Sequence, residues 1–468
     1  MTNMRMACAM AIVLTLASVA GVAAQTGDAT GPRLSVRTTF IASEGYVYGF
    51  PLLLMDETRR AATEIPYVCG LGGPENAFTH LLDPPGPDFR AVVRPNVDTL
   101  YSSAFLDLSA DAMVLDVPEV QDRFYLMAML DAWTNNFAGP GSQMNGGEAT
   151  RYLITGPDWA GDVPAGMQHI EAPTDMVWII GRTELKGPDD LEAANRVQQS
   201  FRLRPLNGPE PVRSEAACQP ILDRVSPEDT IRALSGAEFF QRLDALIARY
   251  PPPAADTGKL ETLGQINVGP YANGRIDDLS ENNLEALDRG VERGQSAMDA
   301  GFSFASRGTW TPDPERVPLG DYGDQFLVRG IVSQIGFGAN RNEFAVYQNA
   351  RRTARGGALD GREGVYRLVF DNGNTPPVGA FWSVTVYDGE GFLVANALDR
   401  YALGSNSDLQ ADANGDVVIT FARERPDDVP VENWLPVPDG PFEVTLRMYW
   451  PNDAILDGRW SAPAISRQ

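Results

Sequence analysis

The periodicity of apolar and polar positions changes twice along the chain. Between Phe40 and Thr63, Tyr46, Gly49, Phe50, Leu53 and Leu54 share one face of a helical repeat, which predicts a helix that Pro51 kinks or restarts. Residues 70–90 are rich in Gly, Pro and Asp and predict loop. From Ala91 to Arg182 the repeat shortens to that of strands, at Ala91–Val93, Tyr101–Leu108, Met113–Val117, Phe124–Leu130, Arg151–Ile154 and Met176–Ile180. Helical spacing then returns. Ser226-Pro227-Glu228-Asp229 has the capping residue, first-turn proline and acids of a helix start, and Phe239, Phe240, Leu243, Leu246, Ile247 and Tyr250 follow at helical intervals. Ser280–Met298 and Asp324–Ile335 read the same way, the first weakened by Gly290 and Gly294. Strands resume at Val365–Phe370, Phe381–Tyr387, Val417–Phe421 and Phe442–Tyr449, with Asn414-Gly415 as a hairpin turn.

This order predicts a mainly β protein with a helical insert (β+α): two antiparallel, jelly-roll-like β-sandwich domains joined by a helical segment. The boundaries fall at 25–205 for the N-terminal sandwich, 206–350 for the helical bridge and 351–468 for the C-terminal sandwich.

Residues 1–24 stand apart. Arg5 is the only charge in the first 26 residues, and Ala7–Ala20 is apolar and uncharged but shorter than the roughly 20 residues a membrane-spanning helix needs. The small residues Val22-Ala23-Ala24 complete a secretory leader, with cleavage expected before Gln25 and a periplasmic or secreted destination. No later segment is long and apolar enough for stable membrane insertion. The net charge of −24 makes nucleic acid and anionic lipid poor partners. In an oxidising compartment, the two cysteines that remain after cleavage, Cys69 and Cys218, are a disulfide or two buried thiols.

The residues Pro95-Asn96-Val97-Asp98-Thr99-Leu100-Tyr101-Ser102, Asp131-Ala132-Trp133-Thr134-Asn135-Asn136 and Gly156-Pro157-Asp158-Trp159 resemble a widespread bacterial domain of unknown function, DUF1254. Leu359-Asp360-Gly361, Phe381-Trp382-Ser383-Val384-Thr385-Val386-Tyr387-Asp388, Arg400-Tyr401-Ala402-Leu403-Gly404, Asn433-Trp434-Leu435-Pro436 and Arg447-Met448-Tyr449-Trp450-Pro451 are similar to its usual companion, DUF1214. The resemblance implies an exported protein of two sandwich-like domains with a helical insert, often assembled as a homo-oligomer. It implies no activity.

Candidate chemistry is sparse. The only histidines are His80 and His169, and there is no His-Glu-x-x-His helix or zinc-spaced cysteine pair, so no metal site or cofactor is expected. No Gly-x-Ser-x-Gly elbow is present. Asp412-Ala413-Asn414-Gly415-Asp416 imitates the opening of a calcium loop but lacks the distal Glu and is accounted for by the hairpin. Arg447, Tyr449 and Trp450 share a strand, with the aromatics expected in the core and Arg447 beside a carboxylate.

The richest grouping is polar and aromatic. Asn96, Asp98, Thr99 and Tyr101 open one strand, and Asp131, Trp133, Asn135 and Asn136 follow another. If those strands are neighbours, both groups line one concavity, with Asp98 and Asp131 as acid and base and Trp133 as an apolar platform, a combination suited to polyhydroxylated ligands. The competing expectation is that these Asn and Asp side chains only shape turns. The functional expectation is an exported protein that binds or processes a small polar ligand, sugar-like ones included, in a pocket of the N-terminal domain, with catalysis and binding both open. The alternative is a non-catalytic oligomeric assembly or cell-envelope interaction protein.

Overall fold

The computed structural model describes residues 31–468 apart from 69–71, 91, 213–217, 220–223 and 306–308. The expected leader, the cleavage point before Gln25, Cys69 and the side chain of Cys218 lie outside the described residues. The backbone of Cys218 pairs in parallel with Tyr67.

Each half of the chain builds a two-sheet sandwich. In the N-terminal one, the inner sheet runs in the order Thr79–His80, Thr99–Asp107, Met176–Glu184, Tyr125–Asp131, Asn136–Ala138. The outer sheet runs Arg202–Pro205, Met113–Val117, Thr150–Thr155, Gln168–Glu171. All seven residues of Tyr125–Asp131 are buried because both faces of this strand are covered. Tyr125, Met127 and Met129 pack toward the outer sheet, while Leu126 and Ala128 pack against Phe344, Ala345, Phe381 and Tyr449 of the C-terminal half.

The C-terminal inner sheet is ordered Ala345–Ala350, Phe442–Tyr449, Trp382–Asp388, Ala402–Gly404, and its outer sheet Trp434–Pro436, Val417–Ala422, Tyr366–Phe370, Ser466–Arg467. Val346, Val384, Leu446 and Met448 fill the space between them with Leu368, Ile419 and Phe421. The two inner sheets therefore face each other across the middle of the molecule.

Pairing is antiparallel in both sandwiches except that Thr150–Thr155 with Gln168–Glu171, and Val417–Ala422 with Trp434–Pro436, are parallel. Residues 92–94 bend rather than extend, so the strand expected at Ala91–Val93 is absent from the described part of that segment. Ala345–Ala350, expected within the helical bridge, pairs along its whole length with Phe442–Tyr449 and starts the C-terminal sandwich.

A helical layer covers the rest of the N-terminal inner sheet. Its centre is the helix Gly31–Thr63, which runs through Pro51 and is buried at every position from Gly45 to Asp56. It packs on Glu281–Ala305 and Phe326–Ile335, so the first helix belongs with the helical segment in space although it precedes the N-terminal sandwich in sequence. A β-carbon at Gly290 would stand 2.3 Å from that of Ala42, and one at Gly294 would meet the ring of Tyr46 at 2.8 Å. These glycines weaken the helix intrinsically but admit the close approach of its partner. Ser226 caps Pro227–Arg232, and Ser235 with Glu238 forms a capping box on Gly236–Arg249, whose Phe239, Phe240, Leu243 and Ile247 enter the same core. Among the described residues no helix is long and apolar enough to cross a membrane.

Candidate functional site between the sandwiches

Strand alternation places the site. On Phe442–Tyr449, Phe442, Val444, Leu446 and Met448 turn into the C-terminal core, so Glu443, Thr445, Arg447 and Tyr449 turn out of it. That outward face is buried as well, with Glu443, Thr445, Arg447 and Tyr449 at most 4% exposed, because the N-terminal domain lies on it. Ser383, Thr385 and Tyr387 of the neighbouring strand and Tyr347 of the other neighbour share that face. Opposite them stand Thr99, Tyr101 and Arg182, the last two directly paired across their strands.

Residues 94–98 bind this polar face point by point. The carbonyl of Arg94 accepts from Arg447 at 2.9 Å, and that of Pro95 accepts from the hydroxyl of Tyr387 at 2.7 Å. Asn96 donates through Nδ2 to Tyr449 at 2.6 Å and to Thr99 at 2.9 Å, with the Tyr101 hydroxyl at 3.3 Å. Ser383 donates to the Asp98 carboxylate across 285 residues of chain. Arg447 also donates to Thr385 at 2.8 Å and Tyr387 at 2.7 Å.

Arg182 donates to Asn340 at 2.9 Å and to the carbonyls of Ile180 and Gly338, and Asn340 in turn donates to the Tyr347 hydroxyl at 2.8 Å. Gly338 is required there: its φ is +82°, and a β-carbon would lie 2.4 Å from Ile180. Arg182 sits over the ring of Tyr101 at 5.4 Å, and Arg447 lies 6.0 Å from the ring centre of Tyr347.

The electrostatics follow from this packing. Burial raises the Asp98 carboxyl above its ordinary range against the pull of Arg447 and the Ser383 hydroxyl. Burial opposes ionisation of Tyr101 too, but the charge of Arg182, the Asn96 amide and Arg447 outweigh it and hold this phenol below its ordinary value. Tyr449 is driven well above, by burial and by the neighbouring phenols Tyr347 and Tyr101. Asp98, Tyr101 and Tyr347 keep part of their surface open, whereas Arg182 and Arg447 are 5% and 4% exposed. The site is thus a buried cationic floor beneath partly open aspartyl and phenolic walls.

The second sequence-predicted group is elsewhere. Thr99 pairs with Glu184 and Asp131 with Val177, seven residues apart along the shared neighbour strand, or roughly 24 Å of extended chain. Asp98 and Asp131 therefore lie at opposite ends of the inner sheet and form no acid–base pair. Asp131 shapes its own turn, accepting from the backbone of Trp133 and Asn135 at 2.9 and 2.8 Å and from the Asn135 amide at 2.9 Å. Asn136 is buried with its backbone bonded to Gly320 at 2.7 Å. Trp133 is no platform for a ligand: it is fully buried and donates to the carbonyl of Tyr250.

The Asp131 turn yields a pH signature. Burial pushes its carboxyl up to about 6 from an ordinary 3.8, against the donors from Asn135. Below 3.8 folded and unfolded chains are both protonated, and between that value and about 6 only the folded one holds the proton. Stability from this group is therefore complete at the acid end and is lost as pH rises through 6. Asp131→Asn keeps an acceptor for the turn but cannot titrate. In urea titrations, its stability relative to the parent is expected to improve by up to about 3 kcal/mol between pH 4 and pH 7. A constant difference across that range would remove the buried-acid assignment.

The histidines lie on different sheets. His80 Nδ1 is 2.8 Å from Ser102 Oγ, but Ser102 is 1% exposed and turned toward the sandwich interior, on the opposite face of its strand from Tyr101. His169 meets Thr155 at 2.9 Å. The Asp412 carboxylate accepts from the backbone of Asn414 and Asp416 as a hairpin-turn residue. Among the described residues no three His, Cys, Asp or Glu side chains gather as a metal site. Arg447 has hydroxyl and carbonyl partners rather than the ion pair expected from sequence. The residues missed altogether are Arg182, Tyr347 and Asn340, which carry no local motif.

Fold and site together define a two-sandwich protein with a buried arginine–tyrosine layer at the domain junction. Residues 75–205 match DUF1254 and residues 344–453 match DUF1214, each described as a protein of unknown function. The chain belongs to the family of proteins that combine these two domains in this order. No curated protein matches it. A crystal structure of the VPA0106 protein from Vibrio parahaemolyticus is similar, at TM-score 0.68 and 23% identity over 92% of this chain and 99% of that one, and so shares the fold. A putative uncharacterized protein from Burkholderia cenocepacia gives TM-score 0.43 at 10% identity, covering 93% of this chain and 94% of that one.

Proposed function

We propose that this chain binds or processes a small polar ligand, sugar-like ones included, at the junction of its two sandwiches rather than within the N-terminal domain alone. The observation that carries the reading is the buried polar layer to which both domains contribute and in which Arg94, Asp98, Tyr101 and Tyr347 keep partial exposure. A layer of this kind is costly unless every group is paired, so a purely structural junction would favour apolar contacts like those formed by Leu126, Ala128 and Phe344 beside it. Hydroxyl, amide, carboxyl and guanidinium groups converging on one layer are what a polar ligand requires.

A thermal-shift screen of the mature protein against neutral sugars, polyols and small acids tests this. A ligand at a hundred times its dissociation constant adds about 2.7 kcal/mol. The expected result is a stabilising compound whose effect disappears in Asp98→Asn and shrinks in Tyr101→Phe while both variants stay folded. A broad library without one stabilising compound would overturn the reading. The protein is also proposed to act outside the cytoplasm, on the strength of its leader-like N-terminus. Amino-terminal sequencing of the natively produced protein is expected to begin at Gln25, and an intact N-terminus would refute export by cleavage.

A further inference from the structure

We infer that the ligand of this junction is a small carboxylate whose negative charge is taken up between Arg182 and Arg447. The inference rests on the junction being a ligand site and adds the ligand's chemical class.

Both guanidiniums are more than nine-tenths buried, and neither has an ion-pairing carboxylate among the described residues. Arg182 spends its terminal nitrogens on an amide and two carbonyls, and its Nε–H has no acceptor. A charge held in this way costs several kcal/mol relative to water unless a counter-charge is supplied.

The neighbouring acids do not supply it. Both oxygens of Glu443 are occupied by Arg94 and Arg351, each at 2.6 Å. Glu184 accepts from Asn406 and from the backbone of Phe124 at 2.8 Å each. Asp98 acts on Arg447 from beyond ion-pair distance and accepts from the Ser383 hydroxyl. The groups in direct contact with the two cations are phenol, hydroxyl, amide and carbonyl.

A carboxylate completes the arrangement. Its two oxygens match the planar fork of a guanidinium, and the Tyr101 and Tyr347 hydroxyls stand beside the cations to donate to it. The open edge at Asp98, Tyr101 and Tyr347 gives it a way in. A local positive floor in a chain of net charge −24 would also focus an anion that the remaining surface repels.

The test is calorimetric titration of the full mature chain with sodium acetate, lactate and benzoate, against sodium chloride at matched ionic strength and against neutral sugars. At least one carboxylate is expected to bind with one-to-one stoichiometry while chloride gives no signal. Arg182→Lys, which keeps the charge but loses the fork, is expected to weaken it ten-fold or more. Tyr101→Phe, which removes one donor and no charge, is expected to weaken it less and serves if the lysine variant does not fold. Binding of a neutral sugar with no carboxylate binding would keep the junction as a ligand site and overturn the anion assignment. Binding of neither class would remove both. A phenolate absorption band at neutral pH that vanishes in Tyr101→Phe, without carboxylate binding, would show that the junction supplies its own anion, and would likewise overturn the assignment.

Discussion

Glu443→Gln is expected to destabilise the protein by about 3 kcal/mol, the lower end of the cost of breaking a buried ion pair, because the two guanidiniums left without their acid are only partly buried. The Glu443 side chain is 1% exposed, and it holds Arg94 of the N-terminal domain and Arg351 of the C-terminal one, whose side chains are 18% and 35% exposed. Arg94 donates through Nη2 to Glu443 Oε2 at 3.1 Å, while its Nε stands 2.6 Å from Oε1 off the hydrogen-bond line. The effect should reach the candidate site, because the carbonyl of the same Arg94 accepts from Arg447, and residues 95–98 continue across the sheet from there. Equilibrium urea unfolding measures the loss. Limited proteolysis should show faster cleavage around residues 90–98 in the variant. A loss below about 1 kcal/mol would mean that the pair behaves as a surface contact. Replacing Glu443, Arg94 and Arg351 together by methionine is expected to recover much of the stability, since an apolar triad carries no desolvation cost.

The same strand shows what the sequence could and could not reveal. Phe442 to Tyr449 alternates so regularly that its place in a sandwich is legible. The alternation leaves Glu443, Thr445 and Arg447 on the strand's second face without saying what buries them, because what covers that face is decided by chain far away. Asp98 and Asp131 show this limit again. Both are acids beside strands, with the same local signal for a turn. Asp131 is satisfied by neighbours within four residues, whereas Asp98 is satisfied by Ser383 from the other domain. Only register separates the two, and register is not written in either segment.

The boundary of the helical segment was obscured for a related reason. Ala345–Ala350 reads A-V-Y-Q-N-A, a weak strand by composition, and it holds its conformation because all six residues pair with Phe442–Tyr449. Conversely, the strong local signals at Ser226 and in the Phe239–Tyr250 run do appear as a cap and a core helix, because their determinants lie within a turn or two. The grouping of Asn96, Asp98, Thr99 and Tyr101 was legible as a polar cluster. Its partners Arg182, Tyr347 and Arg447, which give it charge, come from three separate strands.

Trp133→Ala separates a packing role from a binding role. The indole is fully buried, donates to the carbonyl of Tyr250 at 3.0 Å and lies 4.9 Å from the ring of Tyr48. It also forms one wall around Arg329, a guanidinium 2% exposed whose charge sits 5.3–5.4 Å from the centres of Tyr48, Trp133 and Phe326. Truncation leaves a large cavity, orphans the Tyr250 carbonyl and removes one of three aromatic faces from a buried cation. The expected loss is about 3–5 kcal/mol. Trp133→Phe keeps the ring and loses the donor, so a smaller loss of about 1–3 kcal/mol is expected, dominated by the unpaired carbonyl. Urea midpoints for both variants, with the slope checked for constancy, give these values. A ligand platform would behave in the opposite way, with Trp133→Ala folding normally and losing only affinity. That outcome would return the Asp131 end of the sheet to consideration as a binding site, and would require the helical core around Tyr48 and Arg329 to open.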